Sequence, residues 1–200
     1  MDAHSKTMAR LSNREKILTA GLDVVHRRGF ANASVRDIVQ AAGVPQGSFT
    51  NHFASKEAFG LEIIDLYYQQ TQAVIADTLL NEALPPLARL SAYLDYARNS
   101  LNEDSLRNGC LLGNFAAEAV AVNDMLREKI VSLFDRIRQA LATCLEAAKA
   151  AGEVSPTLDV AETAAFIQQA QQGANLLAKT YRDPAPFDRL KHQVFDKILK

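Results

Sequence analysis

Apolar residues recur along this chain at three- and four-residue intervals, and strand-like alternation is hard to find. That period belongs to helices that bury one face. The first such stretch covers about 12–28, with Ile17, Leu18, Val24 and Val25 on one side. A short one follows Ser34, through Val35, Ile38, Val39 and Ala42. Ser34 and Asp37 have the spacing of a capping box, and Gly43 suits the left-handed residue that ends a helix. Pro45 suits the first turn of another short helix, about 45–51, which carries Phe49 among small polar residues and is followed by Phe53. Ser55 can cap a fourth helix, which brings Phe59, Ile63, Leu66 and Tyr67 towards about 80.

Punctuation divides the rest. Pro85-Pro86 starts a fifth helix marked by Leu87, Leu90, Leu94 and Leu101. Arg107-Asn108-Gly109 is a turn, and a sixth helix covers about 110–121. Asn123-Asp124 offers a cap for a seventh, which reaches about Ala151-Gly152. Pro156-Thr157 leads into an eighth, about 158–180, and Asp183-Pro184-Ala185-Pro186 breaks the chain before a ninth, about 187–199. The pattern predicts an all-α fold of about nine helices. It divides the chain into a three-helix helix-turn-helix head with an N-terminal arm over residues 1–55 and a helical body over residues 56–200.

Two short helices joined by a glycine turn, with a third capped close behind, are the layout that puts one helix into the DNA major groove. Taken alone, the stretch is equally an ordinary helical hairpin. Its wording decides for DNA. Residues 13–60 resemble the DNA-binding domain of the TetR family of transcriptional repressors. The resemblance is carried by Ile17-Leu18, Ala20, Gly29-Phe30, Ser34-Val35-Arg36-Asp37-Ile38, Ala42-Gly43-Val44, Gly47-Ser48-Phe49, His52-Phe53 and Ser55-Lys56-Glu57. It implies that the 45–51 helix reads DNA, with Gln46, Ser48, Thr50 and Asn51 as candidates for base and nearby backbone contacts. Arg36, His52 and Lys56, with Arg10 and Arg14 near the arm, are candidates for phosphate. Thr50 departs from the family, which usually has a phosphate-touching tyrosine there; Asn51 or His52 can take over that contact.

Charge first looks wrong for a nucleic-acid binder, since the net is −1. Its distribution is asymmetric. Residues 1–60 hold eight Lys/Arg against five Asp/Glu, and residues 61–200 hold fourteen against eighteen, or +3 against −4. Only the head has to meet phosphates.

A palindromic operator has half-sites about 34–36 Å apart, so two heads must be held at fixed spacing. As the resemblance implies, the eighth and ninth helices are the candidates for dimerisation. The eighth carries small residues, Gly173 and Ala174 among them, and the ninth an apolar stripe through Phe187, Leu190, Val194 and Ile198. In the body, Cys110 follows the Asn108-Gly109 turn near a helix N-terminus, where backbone N–H groups favour thiolate. The segment around it, with residues 173–179, resembles the NemR-like and AcuR-like branch of the family, whose members release DNA on meeting electrophiles, oxidants or acrylate-type metabolites. The resemblance makes Cys110 a sensing residue and puts Lys179 near it. The alternatives are a reversible ligand with Cys110 as a wall residue, and a cysteine that only fills space. Cys144, beside Leu141 and Leu145, reads as packing.

The four histidines, at 4, 26, 52 and 192, are scattered, and there is no His-Glu-x-x-His, paired Cys-x-x-Cys, nucleophile elbow or phosphate loop. The sequence therefore argues for a regulator without catalytic residues, metal or cofactor. Its partners are double-stranded palindromic DNA, a small-molecule or electrophile effector and a second copy. No run approaches the roughly 20 apolar residues of a membrane helix. Residues 1–12 lack the apolar core of a secretory signal, and two unpaired-looking cysteines suit a reducing cytoplasm. An all-α ligand carrier or dimerisation module without DNA binding is the rival class.

Overall fold

The computed structural model describes residues 11–118 and 123–200, and every described regular element is helical. In chain order these are α1 (Asn13–Arg28), α2 (Val35–Ala41), α3 (Gly47–His52), α4 (Lys56–Asp77), α5 (Pro86–Asn99), α6 (Glu103–Asn108), α7 (Leu111–Glu118), α8 (Asp124–Ala150), α9 (Val160–Tyr181) and α10 (Ala185–Gln193), the last running on as a π-helical turn over Val194–Ile198. The chain divides into two compact units between Ile63 and Ile64, inside α4 and not at its start.

The head unit is built by caps and aromatics. Ser12 and Glu15 close a capping box on α1, and Ser34 and Asp37 close the expected one on α2. In the second, the Asp37 N–H donates to Ser34 Oγ at 3.1 Å, and the Ser34 N–H to an Asp37 carboxylate oxygen at 3.1 Å. Ser55 caps α4 by accepting from the Ala58 N–H. Ile17, Val25, Ile38 and Val39 are buried around a triad of rings, Phe49, Phe53 and Phe59, with centroids 5.1–5.4 Å apart. Gly21 of α1 faces the Phe59 ring so closely that a Cβ would collide with it. Each ring buries a large apolar area, and tilted pairs add about 0.5–1.5 kcal/mol each.

In the body unit, α8 and α9 pack together, α5 lies on α8, and α10 packs on both α9 and α5. Leu90, Leu94, Leu112, Phe115, Leu133, Leu141, Leu145, Ala164 and Ile167 are buried between them. Asn123 and Asp159 cap α8 and α9 by accepting from the Leu126 and Glu162 N–H groups.

Three expectations change. The stretch expected to lead into a turn at residues 107–109 contains an extra helix, α6, and only Gly109 has the turn conformation, at φ +69°. Pro45 stands outside α3, because its carbonyl accepts the Ser48 N–H in a preceding turn. The apolar stripe of the last helix faces inward: Leu190 and Val194 are 7% and 0% exposed in the single chain, and Ala174 of α9 is 5% exposed. These three are occupied by their own subunit's packing. Four of the exposed large apolar residues, Phe166, Leu176, Leu177 and Tyr181, lie on α9, with Gly173 exposed among them; others, such as Met125 and Val131 of α8 and Tyr96 of α5, lie elsewhere.

Candidate functional site

The first candidate surface is α3. Gly43, at φ +64°, turns the chain between α2 and α3. Gln46, Gly47, Thr50, Asn51 and His52 are exposed, whereas Ser48 and Phe49 are buried. The i, i+1, i+4, i+5 spacing gives one coherent outer face. Ser48 therefore leaves the set of candidate contacts, because its side chain is on the core side of the helix. Thr50 remains outside, but its hydroxyl already donates to the Gly47 carbonyl at 3.1 Å.

The candidate phosphate residues differ in freedom. Arg36 and His52 are exposed, with the His52 ring edge-on to Phe53 at 6.5 Å. Lys56 donates to the Ala31 carbonyl at 3.3 Å and lies 4.8 Å over the Phe30 ring, so its ammonium already supports the α1–α2 connection. Arg14 is paired with Glu62 and sits 5.5 Å over Phe53. Arg10 lies outside the described residues.

The second candidate is a cavity of about 410 Å³ in the body. One wall is Gly109–Ala117 of α7 and the turn before it, another is Gln172–Lys179 of α9, and Phe134 of α8 adds a third side. Cys110 stands immediately before α7 and lines this space. The cysteine was expected to favour thiolate there, and the opposite holds. Burial pushes the Cys110 thiol up, and this outweighs hydrogen bonds to the sulfur from the Gly113 and Leu112 N–H groups, the Tyr67 hydroxyl and the Gln172 side chain. Desolvation disfavours the charged form, and a helix N-terminus contributes less than that cost here. Those donors still single out the sulfur as the place where negative charge would be received.

Lys179 lines the same cavity as Cys110, with its ammonium directed to Asn114. Its stem crosses Gly109, where a Cβ would lie 3.1 Å from Lys179 Cδ, so glycine serves both the turn and the close approach. Its ammonium donates to Asn114 Oδ1 at 3.4 Å, and Asn114 Nδ2 donates in turn to the Asn108 carbonyl at 2.8 Å. Gln172 Oε1 sits 3.0 Å from where a Cβ on Gly113 would be, so α7 and α9 also approach closely there. Behind the cavity, the Tyr93 hydroxyl donates to Gln171 Oε1 at 3.1 Å in a buried pair. Burial raises the Tyr93 hydroxyl to about 12. Cys144 is buried, donates to the Pro86 carbonyl at 3.3 Å and is pushed up to about 11 by burial, which fits packing.

Sequence reasoning missed Tyr67, Asn114 and Gln172 as neighbours of the thiol. Gln172, Asn175 and Lys179 have an i, i+3, i+7 spacing that puts them on one side of α9, which was a usable signal. Nothing local marks Tyr67, which comes from a helix far earlier in the chain. Among the described residues, no three His, Cys, Asp or Glu side chains cluster as a metal site, and no helix is long and apolar enough to cross a membrane.

Comparison with known proteins bears on both sites. The profile for bacterial regulatory proteins of the tetR family matches residues 17–63, and that for the tetracyclin repressor-like C-terminal domain matches residues 86–194. The chain is 33% identical to the HTH-type transcriptional repressor DhaR of Mycobacterium sp. strain GP1, over 96% of this chain and 95% of that protein. It is 31% identical to the transcriptional regulator AcuR of Cereibacter sphaeroides, over 86% of this chain and 78% of that one. The crystal structure of the reduced form of Escherichia coli NemR superimposes with a TM-score of 0.82 at 25% identity, covering 94% of this chain and 98% of that one.

Proposed function

This chain belongs to the TetR family of helix-turn-helix transcriptional repressors, and on that premise we propose that it is a homodimer whose hold on a palindromic operator is released when a small electrophile reacts at Cys110. Family members are DNA-binding regulators and not enzymes, so the cavity serves signalling rather than turnover.

The observation that carries the proposal is a thiol that forms part of the wall of a 410 Å³ cavity and faces an array of donors. At rest the thiol is neutral, which protects it from indiscriminate oxidation. An α,β-unsaturated carbonyl or quinone that enters the cavity meets it at close range. The thiol gives up its proton to solvent as its sulfur forms a bond to the β carbon, and the displaced π pair moves onto the carbonyl oxygen. The resulting enolate takes a proton from water, so the net change is addition of S–H across the double bond. The Gly113 and Leu112 N–H groups and the Tyr67 hydroxyl stabilise the charge on sulfur as it develops.

Tyr67 belongs to α4, the helix that runs unbroken across the boundary between the units. An adduct at Cys110 displaces the Tyr67 hydroxyl and so acts on α4. Release of DNA requires only that adduct and operator favour different arrangements of that helix. Gln46, Thr50 and Asn51 contact bases and nearby backbone, and Arg36 and His52 contact phosphate. Dimerisation uses the exposed face of α9 around Gly173 and Leu177 in place of Leu190 and Val194, which are buried. A chain with two free thiols and a DNA partner works in the cytoplasm.

The test combines a gel shift on a selected operator with mass spectrometry after brief exposure to a quinone. Wild type should lose DNA in step with adduct at Cys110, and Cys110→Ser should stay bound. A second reading, reversible binding of a ligand by Lys179, Asn114 and Gln172, is favoured by the polar cluster opposite the thiol. In that reading DNA is released while Cys110 remains unmodified.

A further inference from the structure

The cavity of the body is uneven in charge. Its lining holds one cationic side chain, Lys179, and no Asp or Glu; the remaining polar side chains are amides and the Cys110 thiol. The Lys179 stem lies against Gly109, the residue before Cys110, with Cβ, Cγ and Cδ 3.1–3.9 Å from where a glycine Cβ would be. Its ammonium meets a neutral acceptor, Asn114 Oδ1, at 3.4 Å, which is long for a charge-assisted bond. Asn114 cannot turn its amide around without losing the bond from Nδ2 to the Asn108 carbonyl at 2.8 Å, so Oδ1 stays towards the lysine. The Asn114 N–H donates to the Cys110 carbonyl at 3.0 Å, so the two residues stand one helical turn apart. Side chains with that spacing share one side of a helix, about 5–6 Å apart at Cβ. Both line the cavity, and the ammonium is thus anchored about one turn from the thiol.

We propose that the Lys179 ammonium receives the negative charge that develops on the carbonyl oxygen of the electrophile, which makes the site selective for conjugated carbonyl compounds over alkyl halides. The inference rests on the reading of Cys110 as the reacting thiol. When sulfur adds to the β carbon of an enone or quinone, the thiol proton goes to solvent and the S–C bond forms. The C=C π pair moves into the bond between the α carbon and the carbonyl carbon, and the carbonyl π pair goes to oxygen. The charge therefore leaves sulfur and appears at the far end of a short planar chain. The donors to the Cys110 sulfur serve the start of this movement. Lys179 serves its end, by exchanging a long bond to a neutral amide for a charge-assisted bond to the enolate oxygen. The ammonium keeps its proton; the α carbon is protonated by water, and the net change remains addition of S–H across the double bond. A positioned cation in a cavity that excludes much of the water is worth more than the same cation in bulk solvent. An alkyl halide gains little from it, because its charge departs on the halide from the very carbon that sulfur attacks.

Two small reagents separate charge at a distant oxygen from charge at the attacked carbon: methyl vinyl ketone and allyl bromide. Each is reacted in excess with the full-length protein, and modification of Cys110 is followed by peptide mapping. The ratio of the two rates cancels the thiolate fraction, which both reactions need. In wild type that ratio should exceed the ratio for N-acetylcysteine at the same pH by at least about tenfold. Lys179→Met keeps the stem over Gly109 and removes the charge, so it should bring the ratio to within about threefold of that reference, and Lys179→Arg should restore part of the difference. Equal slowing of both reagents in Lys179→Met means that the lysine acts only on the thiol, and overturns the proposal; an unchanged ratio overturns it as well. Cys144, read in the same map, reports folding, since it stays unmodified while the body is intact. Should Lys179→Met expose it, the wild-type ratio against N-acetylcysteine decides alone, and a wild-type ratio equal to that reference overturns the proposal. A wild type with the raised ratio that keeps its hold on DNA when alkylated overturns the electrophile switch and leaves Lys179 in its role. A folded wild type in which neither reagent reaches Cys110 overturns both.

Discussion

The head and the body solve different problems with different means. In the head, the capping boxes at Ser12 and Ser34, the turn at Gly43 and the rings of Phe49, Phe53 and Phe59 act within about one turn or one neighbouring helix of where they stand in the chain. In the body, the thiol of Cys110 acquires its character from burial and from Tyr67 and Gln172, which lie on two other helices. A site assembled from neighbours presents a surface. A site assembled from distant elements encloses a space whose chemistry responds when any one of them moves. That is a suitable division between a part that must fit DNA and a part that must sense a small molecule.

The largest expected effect separates the two. Phe49→Ala opens the aromatic triad and should destabilise the head by about 3–5 kcal/mol. DNA binding should disappear in a gel shift while light scattering still reports a dimer and Cys110 is alkylated at the wild-type rate. Loss of the dimer in the same variant would show that head and body do not fold as separable units.

Next come the residues of the DNA face. Asn51→Ala, as a base contact, should relax preference at one position per half-site, by about 1–3 kcal/mol. Arg36→Ala, as a phosphate contact, should weaken all sequences alike and reduce the salt slope by about one. Lys56→Ala should differ from both. Because its ammonium holds the Ala31 carbonyl and the Phe30 ring, it should lower thermal stability as well as affinity. A melting temperature equal to wild type would return Lys56 to a purely phosphate role.

A smaller effect belongs to the body. Tyr67→Phe removes a donor to the Cys110 sulfur, so the thiol should rise further and alkylation near neutral pH should slow severalfold. In wild type the rate should climb with pH through the alkaline range, because burial already holds the thiol above its ordinary value. A plateau at neutral pH would mean that the thiolate is favoured after all.

The smallest is an acid effect confined to the head. Hydrogen bonds from the Ser34 side chain and backbone, with the Arg28 guanidinium beside them, hold the Asp37 carboxyl below its usual range. Bonds from the Ser12 backbone and side chain do the same for Glu15. Depressed carboxylates contribute stability that is present above the unfolded-state value and is lost as pH falls through the folded-state value. The protection of α1 and α2 amides, taken relative to their intrinsic exchange rates at each pH, should therefore fall below the ordinary carboxylate range, and Asp37→Asn should flatten that dependence for α2. Equal acid sensitivity in Asp37→Asn would remove the capping box as its cause.

Most of the helices, their caps at Ser34, Ser55 and Asn123, and the outward positions of Gln46, Thr50 and Asn51 were legible in the sequence. Each rests on a period or on a side-chain-to-backbone bond only a few residues long. The same period put Ser48 on the wrong side, because one turn of a short helix leaves too few positions to say which face meets the core. The inward stripe of α10 was misassigned for a related reason. An apolar face must be covered, but its pattern is the same whether the cover is α9 and α5 of its own chain or a second subunit.

What the sequence determined alone, then, is local: where most helices start and stop, where the glycine turn before α3 falls, and which cysteine stands at a turn. Hydrogen-bond caps and helical periodicity act between near neighbours, so the order of residues suffices to see them. Only the tertiary structure decided that Tyr67 reaches the Cys110 sulfur, that burial outweighs the helix N-terminus at that thiol, and that the apolar stripe of α10 is covered by its own chain. Desolvation and packing depend on what the rest of the chain brings into contact, and that is a property of the assembled fold.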